Sequence, residues 1–192
     1  MLIRIGALVL AIGALSTASA AAQKPVMADD IPIAHTPQVP GGYGTTFPAP
    51  VLKTCTEPLV MGAPDLRGIW RLIEVNGKQP AKGEHLYHYA ERIEQCGDRI
   101  IDMGGGTIAD ARADGTEKNA DHDVSVRDYK TPIIAVASYE SGVFILRPVG
   151  QPGVDVRRWL DAQGHMVWTR PDYGRMTLER IGGPNDPYSR PD

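Results

Sequence analysis

The sequence predicts an all-β fold, an antiparallel up-and-down β-barrel of about eight to ten strands, with a two-sheet β-sandwich as the alternative. Three observations lead there. Apolar-rich runs recur from Leu66 to Ile181 with turn-forming residues between them, the loops joining them are short, and no long amphipathic helical stretch interrupts them. Short loops make consecutive strands antiparallel neighbours, and so many strands must curl round or stack in two sheets to hide their edges.

At the N-terminus, Met1–Ala22 has the parts of an export signal: one positive charge at Arg4, an apolar stretch Ile5–Leu15, and small residues Ala18-Ser19-Ala20 for cleavage. Its apolar run is shorter than the roughly twenty residues a bilayer-spanning helix needs. The expectation is a removable signal peptide over residues 1–22 and an extracytoplasmic location, the bacterial periplasm or the medium, without stable membrane insertion. Residues 23–64 change character, with Pro25, Pro32, Pro37, Pro40, Pro48, Pro50, Pro58 and Pro64 and a Gly41-Gly42-Tyr43-Gly44 cluster. Proline removes backbone donors and glycine adds chain entropy, so this stretch is expected to be an extended, partly disordered arm.

The strands follow from Leu66–Val75 onward, in a domain expected to span 65–182. Gly97-Asp98 separates Arg92–Cys96 from Arg99–Met103 as a tight hairpin loop. Asp114-Gly115 separates Thr107–Ala113 from Asp123–Tyr129, and Glu140-Ser141-Gly142 separates Ile133–Tyr139 from Val143–Pro148. Asp161-Ala162-Gln163-Gly164 joins Val154–Leu160 to His165–Arg170, and Pro171-Asp172-Tyr173-Gly174 turns the chain into Arg175–Ile181. Residues 183–192 are expected to form a flexible tail.

Two cysteines, Cys55 and Cys96, in an exported chain read as one disulfide pinning the end of the arm to the domain. The 23 acidic and 20 basic residues are interspersed, without the basic block that nucleic acid requires. His85 and His88, with His122 between Asp121 and Asp123, contain metal-ligating side chains, but their spacing is not that of a metal site. The acidic residues from Asp102 to Asp128 lack the order of a calcium loop and read as turn chemistry. No metal or cofactor is expected. The chain has no G-x-S-x-G elbow, no H-E-x-x-H helix and no cysteine–histidine nucleophile arrangement, so no catalytic residue is assigned and binding is expected over catalysis.

The run from Asp65 to Gly77, with Gly68 and Trp70 as a G-x-W motif, resembles the first strand of the calycins, the group holding lipocalins and fatty-acid-binding proteins. The resemblance implies a barrel whose tryptophan packs at the closed end beneath a basic residue of the last strand, and alternation along that strand nominates Arg180. It also implies a small apolar or amphipathic ligand, whose binding residues the sequence does not identify. The second expected role is an envelope protein-interaction or inhibitor-like module with a filled barrel, engaging its partner through loops or the arm.

Overall fold

Strand-forming residues between turn signals produce ten strands in the computed structural model, which describes residues 24–191; the expected signal peptide lies outside the described residues. They are β1 (Gly68–Val75), β2 (Ala90–Cys96), β3 (Arg99–Gly104), β4 (Thr107–Arg112), β5 (Asp121–Val124), β6 (Pro132–Glu140), β7 (Val143–Pro148), β8 (Val156–Leu160), β9 (Met166–Arg170) and β10 (Gly174–Gly182). Helical structure among the described residues is confined to the 3-10 turns Ala28–Asp30 and Glu117–Asn119. No helix there is long and apolar enough to cross a membrane.

All ten strands belong to one antiparallel sheet in the order β4-β3-β2-β1-β10-β9-β8-β7-β6-β5. The first and last strands pair, with Trp70 opposite Arg180 and Leu72 opposite Leu178. One continuous up-and-down sheet replaces the two-sheet alternative, and it is the architecture the calycin resemblance implies. Closure stops at one seam, between β4 and β5, where no ladder forms among the described residues. Two-residue loops hold the registers: Gly104 pairs with Thr107 across Gly105-Gly106, whose φ values of 59° and 90° suit a turn matched to strand twist.

Alternation places one set of side chains inside the ring. Trp70, Ile93, Ile100, Phe144, Met166, Trp168, Met176 and Leu178, drawn from opposite walls, form one cluster, so apolar side chains pack the interior. Trp70 is fully buried and its indole N–H donates to Leu66 O at 2.7 Å. The Arg180 guanidinium lies 4.6 Å from the Trp70 ring centroid, and Gly68 lets the strand run close against Arg180 Cγ and Cδ.

A second cluster lies outside the ring. Ile69, Ala90, Ile101, Met103 and Ile108 face outward and are covered by Ala28, Phe47 and Leu52 of the arm. β2 is therefore buried on both faces along its whole length. Arm residues reach the sheet at several points, and the hydrogen bonds show how. The arm makes no ladder, but charged side chains of the sheet serve its backbone: Ala34 N donates to Asp110, Thr36 N to Asp123 and Leu52 N to Glu94. Arg99 donates to the carbonyls of Ala28, Ile31 and Pro32. Gly42 crosses the β3–β4 turn so closely that a Cβ would lie 1.8 Å from Gly106 O. The tail also has partners: Phe47 N donates to Tyr188 O and Arg190 N to Thr45 O.

Candidate functional site

The seam between β4 and β5 is where the barrel wall is incomplete. An unpaired strand edge exposes backbone donors and acceptors that must be met by something. Here side chains meet them. Ile108 N donates to Thr36 Oγ1 at 2.7 Å, and the same hydroxyl donates back to Ile108 O at 3.2 Å. Two residues along the edge, Asp110 N donates to Asp121 Oδ1 at 3.2 Å.

Beside this seam lies a cavity of about 290 Å³, bounded by the arm, β4 and the turn leading into β5. Ile31, Ile33, Ala111 and Ala120 supply its apolar walls. Charged groups complete it, and most are already committed. The Arg99–Asp110 pair is almost wholly buried and bidentate, at 2.8 and 2.7 Å. Arg112 bridges Asp98 and Asp29. Burial, assisted by the charges of Asp123, Asp110 and Asp102, pushes the Asp121 carboxyl up to about 8, so it carries its proton at neutral pH.

Inside the barrel sits a second polar cluster. Arg158 on β8 donates to both oxygens of Glu91, at 3.1 and 3.2 Å, and lies 2.6 Å from Asp102 Oδ2. Its guanidinium is 5.6 Å from the Trp168 ring centroid, and Tyr89 OH donates to Glu91 at 2.6 Å. Burial pushes Asp102 up to about 7 against the pull of Arg158, and burial likewise raises Tyr89. Two carboxylates already face one guanidinium there, so the cluster is electrostatically occupied by its own members.

Of the residues singled out in the sequence, Gly68, Trp70 and Arg180 meet at the β1–β10 junction, and Cys55 and Cys96 are bonded, with Cα atoms 6.2 Å apart. Glu57 lies with the two sulfurs in a group of metal-ligand type, but the disulfide occupies both sulfurs. His85 and His88 lie in the β1–β2 connection and His122 on β5, where it lines the seam cavity. Asp114 and Asp128 cap turns: Asp114 accepts from Thr116 N and Asn119 Nδ2, and Asp128 accepts from Lys130 N and Thr131 N. The sequence reading missed the Arg158 cluster, the Arg99–Asp110 pair and the seam. One signal was present for the first: Arg158 shares a strand face with Val156 and Leu160, which puts a charge on an apolar stripe.

No protein-family model and no curated protein matches this chain. Among solved structures, human cRBP IV is similar with 14% sequence identity and a TM-score of 0.44, over 61% of this chain and 98% of that one.

Proposed function

We propose that this protein is an exported lipocalin-like carrier that binds a small amphipathic molecule at the β4–β5 seam. The observation that carries the reading is the seam cavity, where apolar walls and polar groups meet at a break in the sheet. Its volume of about 290 Å³ is at the lower end of ligand sites, which sets the occupant as a small molecule. The interior is crowded with Trp70, Phe144, Met166 and Trp168, which moves the expected site from the barrel centre to its wall. The Cys55–Cys96 bond fits an oxidising compartment, in keeping with export.

Native mass spectrometry of the freshly purified mature protein tests this. A stoichiometric small-molecule mass is expected, and Ala120→Trp, which fills the cavity wall, should eliminate it while the fold survives by circular dichroism. A bound mass that persists in Ala120→Trp would place the ligand elsewhere and defeat the proposal.

A second reading, an envelope interaction module, draws on the arm itself, which presents Ile33, Val39 and Met61 to solvent at 64%, 53% and 101% exposure. It expects Met61→Glu to abolish capture of a partner, whereas the carrier reading expects no effect of that change on ligand binding.

A further inference from the structure

The charged groups around the seam cavity are unequally engaged, and the difference indicates what kind of molecule it takes. Arg99 is used up by Asp110 and by the carbonyls of Ala28, Ile31 and Pro32. Arg112 is held between Asp98 and Asp29. The lining groups without an ion pair among the described residues are Lys118, His35, His122 and Asp121. The first three are exposed at the rim, and the fourth is buried in the wall.

From this we infer that the seam cavity is an anion site, which takes a small organic carboxylate with its apolar part against Ile31, Ile33 and Ala111 and its charge toward Lys118, His35 and His122. The inference rests on the cavity being the ligand site, as proposed above. A cationic ligand would meet an uncompensated ammonium at Lys118, and a neutral one would leave that ammonium without a charged partner. Asp121 in the wall adds no negative charge against such a ligand, because burial first, and then the charges of Asp123 on its own strand, Asp110 on β4 and Asp102 on β3, hold its proton, while Asp110 is itself paired with Arg99 at 2.7 Å and Asp102 with Arg158 at 2.6 Å. A protonated carboxyl donates a hydrogen bond to an incoming carboxylate, where an ionised one would repel it.

Phenylacetate and its neutral isostere phenylacetamide, titrated into the mature protein by calorimetry and by amide chemical shifts, separate the possibilities. Because Lys118 is at an exposed rim, its contribution is that of a screened surface pair, so phenylacetate should bind about fivefold tighter than the amide at low salt. Lys118→Met should erase that preference and leave phenylacetamide binding unchanged, and 0.5 M salt should shrink it. Phenylacetate should weaken as pH rises through about 8, and Asp121→Asn should remove that pH dependence. Equal affinities, or a preference that survives Lys118→Met, would overturn the anion assignment while leaving a seam ligand in place. Failure of both probes to shift amides of residues 31–35 and 118–122 would overturn the seam site and this inference with it.

Discussion

Asp121→Asn should stabilise the protein, and by an amount that grows with pH. In the folded chain the Asp121 carboxyl is pushed up to about 8 from its ordinary value of 3.8, first by burial and then by Asp123, Asp110 and Asp102. Between those two values the folded chain keeps a proton that the unfolded chain has released, so stability falls as pH rises through that window and is level on either side. At about 1.4 kcal/mol per pH unit the penalty is about 4 kcal/mol at pH 7 and has a ceiling of about 6 kcal/mol above pH 8. Asparagine keeps an oxygen to accept from Asp110 N and cannot ionise. The assay is urea unfolding followed by tryptophan fluorescence at a series of pH values from 4 to 9. Near pH 4 the two proteins should agree within about 1 kcal/mol, and the variant should lead by several kcal/mol at pH 9. Asp102, also raised, is present in both proteins and largely cancels in the difference. A difference that stays constant from pH 4 to 9 would refute the account of a protonated carboxyl in the seam wall.

Three further outcomes follow from the packing. Arg158→Met leaves Glu91 and Asp102 buried without their cation and should cost about 3–5 kcal/mol in urea unfolding, most of it recovered when Glu91→Gln and Asp102→Asn are added. Replacing Cys55 and Cys96 together by alanine opens a loop with a sequence separation of 41 and should cost about 4 kcal/mol, measured by the same titration under non-reducing conditions. Arg180→Met removes the guanidinium from over Trp70 and should cost only about 0.5–1 kcal/mol, read as a small fall in the urea midpoint, because apolar packing rather than the cation holds the indole in place.

The sheet was legible because its signals are local. Gly97-Asp98 reads as a two-residue loop from sequence alone, and Cys96 indeed pairs with Arg99 across it. The run Asp123–Tyr129 was placed too late, since β5 is Asp121–Val124 and Asp128 instead caps a turn. What escaped depends on contacts between distant segments. Ala90–Cys96 carries Glu91, Arg92, Glu94 and Gln95, a polar content that suits a partly exposed strand, yet the arm buries its outward Arg92 and Glu94 as thoroughly as its inward Ile93. Proline content gives no sign of side chains such as Asp110 and Glu94, which serve the arm's backbone in place of a ladder. The seam was invisible because no property of β4 or β5 taken singly marks it; it arises where the ring fails to meet and Thr36 arrives from far upstream.

The bond between Cys55 and Cys96 brackets the exposed turn at Met61-Gly62, with one cysteine before it in the chain and the other after it. A protease that cut there would not free the arm: the two fragments would stay stapled, migrate as one species on a gel until a reductant was added, and keep the Phe47 and Leu52 patch in place over the sheet. Damage at this exposed turn is thereby confined to a nick, a useful property for the exported carrier proposed above.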